Sequence, residues 1–422
     1  MIKLDVWLTL PSGESVKAGA LVATDPDDVS GGLDGQFRYA PEYLEHPQGF
    51  SLDPLHLPLS TEIFNADRPK AGVPGVFEDS LPDDWGRRLM VRRHKLGRNE
   101  QRVPNLLPLL GNQGLGALRY VEEGRPELKT TGVSRRHLQE LALLAEQFEQ
   151  EPATADDDEL ILLFQAGSSP GGARPKALVE DENVSYLAKF ASTKDHLDVV
   201  SLEAATMELA RQAGIETATT RLMPLGNRKC LLVKRFDINE VGGRNHLISM
   251  QSLLKADNYY NAGYRDLADV IRHISEQPGQ DLHRLYKQMV FNVMIGNTDD
   301  HLKNFLMLHD DTGWRLSPAF DLVPNIGFNS EHVLRIGLDN RVSNFKTLMD
   351  EGKHFGIKRR QQVIDVIEEV HEAVSGWSEI FIVCDVPAKD VESILLTQCR
   401  NVPNSRQHVF DGVNSTNVIY LC

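Results

Sequence analysis

The sequence predicts an α+β protein of more than one domain, and three observations carry that reading. Short strand-like runs fill much of the first third. A Gly-rich stretch, Gly167 to Lys176, leads into a hairpin pattern. A helical run then gives way to a polar loop, a second hairpin and helical patterns to the end. At 422 residues and roughly 150 residues per domain, two or three domains are expected, with enough chain to bury a sizeable core. The expected divisions are 1–125, 126–240 and 241–422, the first boundary resting on a composition shift between 125 and 160.

Taken in order, Lys3 to Leu10 alternates apolar and polar residues and stops at Pro11-Ser12-Gly13, a strand with a turn. Phe77-Glu78-Asp79-Ser80-Leu81-Pro82 leads into a helix expected from Asp83. Ser80, Asp83 and Asp84 lie near its start, with Pro82 near the first helical position. That helix is expected to carry Arg87, Arg88, Arg92, Arg93, Lys95 and Arg98, the densest basic cluster in the chain, read first as a solvated basic face. Leu138, Leu141, Leu144 and Phe148 recur at helical spacing, and the acid run Asp156 to Glu159 beyond them marks a linker or exposed loop.

The stretch Gly167-Ser168-Ser169-Pro170-Gly171-Gly172-Ala173-Arg174-Pro175-Lys176 lacks the spacing of a Walker A loop. Ala177 to Val179 and Val184 to Phe190 read as a hairpin turning at Asp181-Glu182-Asn183, with Lys189 on the second strand. A helix from Ser201 to Gln212, stopped near Gly214, carries Glu203 and Glu208. Lys229 to Val233 then forms an apolar strand with a charged exit, Lys234-Arg235-Phe236-Asp237.

Composition narrows the function classes. Hydrophobic residues are 41% and charged residues 25%, which is ordinary globular usage and not that of a disordered chain. The net charge of −15 repels phosphate backbones on average, which argues against a free-standing nucleic-acid binder but leaves room for a basic patch or a basic partner. Cys230, Cys384, Cys399 and Cys422 show no C-x-x-C spacing, so reduced thiols are expected rather than a disulfide scaffold or zinc site. Asp5 interrupts any signal-like start, and no run approaches the about 18 apolar residues of a membrane span. A cytoplasmic protein with no membrane association is expected.

The chemistry concentrates in Gly296-Asn297-Thr298-Asp299-Asp300-His301-Leu302-Lys303-Asn304-Phe305. Leu285, Met289 and Val293 precede it on one helix face, and Gly296 is a natural helix stop. Phe305 to Leu308 and Trp314 to Ser317 form a hairpin after it, ending at Phe320-Asp321. Folding back brings Asp321 toward Asn304. Asp299 and Asn304 have the D-x-x-x-x-N spacing of a kinase catalytic loop. A carboxylate can orient or deprotonate an attacking hydroxyl. An amide oxygen and a second carboxylate can hold Mg²⁺, which prefers oxygen ligands and neutralises phosphate charge. One such spacing alone is more often an ordinary Asn/Asp-rich turn; the ordered set with Asp321 favours the functional reading. A lysine on a strand after a Gly-rich loop, Lys189, sits where a kinase places its phosphate-binding lysine, and Glu203, near its helix start, is the favoured partner over Glu208. The strand exit at Lys234 to Asp237 suits a hinge for an adenine edge.

In this order the residues resemble the HipA family of serine/threonine kinases, the toxins of bacterial toxin–antitoxin pairs. G-N-T-D-D-H-L-K-N-F carries the resemblance, together with Ser169 to Lys176 (S-P-G-G-A-R-P-K), Phe320-Asp321 and, in the first third, Phe77 to Asp83. The resemblance implies a small N-terminal α/β subdomain followed by a two-lobed kinase-like core with a helical C-terminal lobe. It implies ATP and Mg²⁺ as cofactors, Asp299 as catalytic aspartate with His301 near the γ-phosphate, and Asn304 and Asp321 as metal ligands. Ser169, Gly171, Gly172, Lys176, Lys189, Glu203, Lys234, Phe236 and Asp237 would form the nucleotide site. Ser169 would be an inhibitory autophosphorylation site, with Ser168 its neighbour. It further implies a HipB-like DNA-binding antitoxin, DNA contact only through that antitoxin, a translation-related substrate such as an aminoacyl-tRNA synthetase, and a role in persistence. Two other readings compete: a small-molecule kinase of the aminoglycoside type, and a catalytically silent co-repressor that binds the antitoxin.

Overall fold

The computed structural model describes residues 1–25, 32–66, 71–112, 114–126, 133–152, 162–163, 174–257, 259–325, 331–341 and 344–401. Three sheets organise these residues. The first has the order β4-β3-β2-β1-β5, all antiparallel, built from β1 (Ile2–Thr9), β2 (Ser15–Ala23), β3 (Gly35–Tyr39), β4 (Phe64–Asn65) and β5 (Leu118–Glu122). The alternation read at Lys3 to Leu10 is real. Leu4, Val6, Leu8 and Leu10 are buried, and the residues between them lie nearer solvent.

The second sheet has the order β6-β7-β8-β10-β9, with β6 (Val133–Ser134) parallel to β7 (Lys176–Asp181). β8 (Val184–Phe190), β9 (Thr220–Leu225) and β10 (Arg228–Lys234) complete it. The third is small, β11 (His246–Ser249), β12 (Leu306–Asp310) and β13 (Gly313–Leu316), and its last two strands follow the polar loop.

Helix α1 (Asp84–Arg93) joins the first two regions. Trp85 and Leu89, one turn apart, are buried against Phe148 and Leu141 of α2 (Leu138–Gln150) and the second sheet, with Trp85 and Phe148 rings 6.0 Å apart, edge to face. The helix is shorter than the sequence suggested. Asp83 is its extended N-cap and Pro82 lies before it. Ser80 takes no part in capping, because its hydroxyl is buried 2.7 Å from the Tyr120 hydroxyl. At the other end Lys95 adopts a left-handed φ of 52°, which closes the helix and leaves Lys95 and Arg98 beyond it.

Helix α3 (Val199–Gln212) lies between β8 and β9 and packs on the second sheet, and the C-terminal region is helical: α4 (Tyr264–Ile274), α5 (Pro278–Ile295), α6 (Arg360–Ser375), α7 (Trp377–Val383) and α8 (Ala388–Asn401). Leu285 and Met289 of α5 are fully buried among α4 and α6. Cys230 and Cys384 are free thiols, as expected; Cys422 and the side chain of Cys399 lie outside the described residues. Among the described residues no helix is long and apolar enough to cross a membrane.

Candidate active site

The β7–β8 register sets Lys176 directly opposite Lys189. Lys189 Nζ donates to Glu203 Oε1 at 2.6 Å and to Asp321 Oδ1 at 2.5 Å. Glu203 arrives from the first turns of α3, whose start is fixed by Asp198, the acceptor from Ser201 N at 3.0 Å. Glu208 points elsewhere and pairs with Arg211 at 2.6 Å. Asp321 arrives after a tether: Ala319 N donates to Glu216 O and Ala218 N to Ala319 O, at 2.8 and 2.9 Å. Two residues later Asp321 takes a left-handed φ of 57°, an uncommon conformation for a non-glycine residue and one that clusters at functional sites.

The charges respond to this crowding. Burial pushes the Lys189 ammonium down, but Asp321 and Glu203 outweigh it and raise it above the usual lysine range. Burial pushes Asp321 up, but Lys189 and then Lys176 outweigh that and hold it well below the usual carboxylate range. Burial raises Glu203. Lys176 is only 6% exposed and, through burial and the neighbouring Lys189, is lowered to about 8.

The polar loop is built by α5. Gly296 closes the helix at φ 70°, where a side chain would be strained. Asn304 Nδ2 donates to the Asp299 carbonyl at 2.9 Å, tying the two ends of the D-x-x-x-x-N segment together. The Asp299 side chain is exposed while Asn304 is nearly buried. Asp300, the second aspartate, is 1% exposed. It accepts from the Tyr264 hydroxyl (2.9 Å), Val333 N (2.9 Å) and Leu334 N (3.2 Å), with His332 Nδ1 at 2.9 Å. Adjacent acids thus do opposite work: one faces solvent, the other anchors the loop. The sequence reading missed Asp300 and His332. The doubled aspartate was the only local signal, since its partners lie about thirty residues away on either side.

Lys176, Lys189, His301, Asn304 and Asp321 open on one cleft, whereas Asp299 is not among the residues that line it. Its walls come from Lys176, Leu187 and Lys189 of the second sheet, the Val233–Asp237 strand exit, β11, His301, Asn304, Phe320 and Asp321. Phe236 and Phe320 rings stand 5.8 Å apart within it. At the expected hinge, Lys234 N donates to Thr219 O at 2.8 Å and the Phe236 carbonyl accepts from Asn245 Nδ2 at 3.1 Å. Asp237 lines the same cleft, but its buried carboxylate is held by Arg235 Nε at 3.0 Å and Gly116 N at 2.7 Å, which ties the strand exit to the N-terminal region. Ser168, Ser169, Gly171 and Gly172 lie outside the described residues.

The far wall is a contribution the sequence did not announce. Glu78, Asp79, Ser80, Leu81 and Asp83, read as a lead into a helix and as part of the family resemblance but not as site residues, line the cleft. Asp79 accepts from Ser249 N and Ser249 Oγ, both at 2.8 Å, and Asp83 pairs with Lys303 of the polar loop at 2.7 Å. The N-terminal region therefore docks onto both β11 and the loop.

The donor set suits a hard cation. The Asn304 amide nitrogen is engaged with Asp299, so its side-chain oxygen and the Asp321 carboxylate are the available ligands. One carboxylate with an amide oxygen, completed by waters and phosphates, is how Mg²⁺ is commonly held. Among the described residues no cluster of three or more His, Cys, Asp or Glu side chains forms an all-protein metal cage.

Comparison with known proteins adds a lineage to this geometry. A family model described as the HipA N-terminal domain matches residues 14–121, and one described as the HipA-like C-terminal domain matches residues 168–377. Y4mE of Sinorhizobium fredii, which its name describes as a candidate kinase, is 26% identical over 388 residues, 82% of this chain and 89% of that protein. The serine/threonine-protein kinase toxin HipA of Shewanella oneidensis is 28% identical over 161 residues, 33% of this chain and 36% of that one. In solved structures, a Shewanella oneidensis complex of HipA, HipB and operator DNA holds a chain with TM-score 0.68 at 18% identity, covering 94% of this chain and 95% of that one. That likeness shows a shared α+β, kinase-like fold.

Proposed function

The chain belongs to the HipA family of kinases, and from that premise we propose that it is an ATP- and Mg²⁺-dependent serine/threonine protein kinase, the toxin of a toxin–antitoxin pair. The observation that carries the reading is the Lys189 ammonium bridging Glu203 and Asp321 at 2.6 and 2.5 Å. A lysine paired with a helix glutamate beside a metal-binding aspartate is the arrangement of an assembled kinase site.

In this reading Lys189 and Lys176 hold nucleotide phosphates, and the Lys234–Asp237 exit receives the adenine. Asp299, exposed at the loop, accepts the proton of the attacking hydroxyl, and His301 lies near the γ-phosphate. Asn304 and Asp321 would hold Mg²⁺, which neutralises charge on the transferred phosphoryl group when bound. Asp299 meets solvent, which suits a group that must touch a protein substrate, whereas Asn304 and Lys189 are set deeper. Ser169 or its neighbour Ser168 is the autophosphorylation site, a HipB-like antitoxin is the partner through which DNA is reached, and a translation-related protein such as an aminoacyl-tRNA synthetase is the substrate in the cytoplasm. The HipA–HipB–DNA assembly of the structural relative supports the antitoxin.

The test is phosphate transfer from γ-labelled ATP with Mg²⁺, comparing the parent chain with Asp299→Asn. Label on Ser168 or Ser169 in the parent, lost in the variant, is expected. Absence of any label in the parent would favour the silent co-repressor, and transfer to an aminoglycoside but to no protein would favour the small-molecule kinase.

A further inference from the structure

A second, wider groove runs beside the cleft, on the other side of the start of α1. Asp83 lines the cleft and Asp84 the groove; Lys176 lines the cleft and Arg174 the groove. The groove is strongly cationic. Arg87, Arg88, Arg92 and Lys95 line it from the α1 side, and Arg174 and Lys194 face them, against only Asp84 and Asp195 as lining acids among the described residues. This is a sharp local reversal in a chain of net charge −15.

The fold explains why these cations converge. Trp85 and Leu89 turn one face of α1 into the second sheet, and Arg88 and Arg92 flank that face at the edge of the contact, beside Phe148 of the groove lining. They stand one turn apart, about 6 Å along the axis, and Lys95 continues the row past the helix end. Arg174 and Lys194 are set on either side of the β7–β8 hairpin. Asp195 holds Arg174 Nε at 2.9 and 3.1 Å and Glu78 lies 3.3 Å from Arg87, so these two are partly neutralised and fixed in place. Arg88 and Lys194 are exposed and have no ion pair among the described residues.

We propose that this groove binds the sugar–phosphate backbone of a nucleic acid strand, independently of base sequence and of any antitoxin. Cations on two facing walls suit a strand lying between them with phosphates toward both. Four of the six are arginines, whose planar fork takes phosphate oxygens two at a time. The row on α1 supplies charge repeatedly along one direction, as a polyanion requires, rather than at one point as a single anion would. Binding of this kind is driven by counterion release and is steeply salt-dependent. The site is separate from the phosphoryl-transfer cleft, so its failure and the failure of the kinase reading are distinguishable.

The experiment is fluorescence anisotropy of labelled single-stranded RNA and DNA of about 20 nucleotides, titrated with the full chain alone. With about four phosphates neutralised, affinity should fall on the order of fifty-fold between about 50 and about 200 mM salt. Arg88→Glu with Lys194→Glu should lose at least about tenfold at the lower salt. Each single reversal is measured too, with circular dichroism, so that a folding defect in one leaves the other to decide. Lys358→Glu, an exposed reversal away from the groove, should leave binding unchanged. No binding at low salt, equal binding by the groove variants, an equal loss with Lys358→Glu, or tighter binding of polyglutamate than of nucleic acid would each overturn the proposal.

Discussion

Lys189 and Asp321, 132 residues apart in the chain, meet at 2.5 Å in the floor of the cleft. The contact joins the second sheet to the segment that leaves the third, and Glu203 shares the same ammonium. The Lys189 and Glu203 side chains are 13% and 7% exposed. Removing the lysine therefore leaves a buried Glu203 facing the partly exposed Asp321 without a cation between them. Lys189→Met should abolish phosphate transfer and lower unfolding stability by about 3 kcal/mol or more. Lys189→Met with Glu203→Gln should restore part of that stability and none of the activity. Denaturant midpoints and labelled-ATP transfer on the three proteins check this; an additive double mutant would refute the shared charge.

Lys176 gives the cleft its own pH dependence. Its folded pKa of about 8 lies below the ordinary lysine value of 10.5, so bound phosphates must supply the charge balance that keeps it protonated. Nucleotide affinity should weaken as pH rises from about 7 through about 8 to 9, and Lys176→Met should flatten that profile. The stability sign is opposite. Between about 8 and 10.5 the unfolded chain binds the proton that the folded chain has lost, so unfolding free energy from this group rises with pH across that window. Calorimetric nucleotide titrations from pH about 6.5 to about 9.5 separate the two effects.

Much of this was legible before the structure. Helical spacing at Leu285 and Met289 placed α5, and Gly296 ended it because a left-handed C-terminal position favours glycine. Period-two alternation placed β1, and the two hairpins framed Lys189 and the polar loop. Choosing Glu203 over Glu208 needed only its place near the helix start. What was not legible depends on contacts far apart in sequence. Nothing near Asp79 announces that Ser249 is its partner, 170 residues on. Ser80 looked like helix-capping chemistry, but burial beside Tyr120 claimed its hydroxyl. Basic residues on α1 looked like a solvated face until Arg174 and Lys194 were found across a groove.

The docked N-terminal region predicts a separable defect. Asp79 accepts two hydrogen bonds from Ser249 at 2.8 Å. Asp79→Ala leaves the Ser249 backbone donor without that acceptor and should cost about 1–3 kcal/mol. Its effect should appear as faster proteolysis between the N-terminal region and the core and as weaker nucleotide binding, because Asp79 is part of the cleft wall. Asp83→Ala, which removes the 2.7 Å pair with Lys303, should do less to stability, since that pair is more exposed. Equal effects from the two would contradict this ranking.

Acid should loosen the same interface. Phe50 of the N-terminal region stacks on His309 of β12 with centroids 3.7 Å apart, and His246 Nε2 stands 2.8 Å from Leu52 O. Burial lowers both imidazoles from 6.5 to about 4, for His246 despite that contact. The unfolded chain then takes up protons from pH 6.5 downward while the folded chain does not until about 4. Stability should therefore fall as pH drops through that window, by up to about 1.4 kcal/mol per pH unit per fully buried histidine. His246→Gln should reduce the slope, measured by denaturant unfolding at successive pH values.

Asp300 makes the sharpest distinction between neighbouring acids. Its 1% exposure and its bonds from Tyr264, Val333 and Leu334 hold the polar loop against the segment after residue 330. Behind them Asn292 Nδ2 donates to the Tyr264 hydroxyl at 2.9 Å, and Asn297 Nδ2 to Asn292 Oδ1 at 3.1 Å, so the network reaches back to the end of α5. Asp300→Ala removes the acceptor of the Leu334 amide and of the Tyr264 hydroxyl, leaves the Val333 amide only the Thr298 carbonyl, and should cost about 3–5 kcal/mol of stability. Asp299→Ala removes an exposed carboxylate and should change stability by no more than about 0.5 kcal/mol while abolishing phosphate transfer. Asp300→Asn keeps an oxygen for the Val333 and Leu334 amides and should recover part of the lost stability. If Asp299→Ala proved the more destabilising of the two alanine variants, the division of labour between these acids would be wrong.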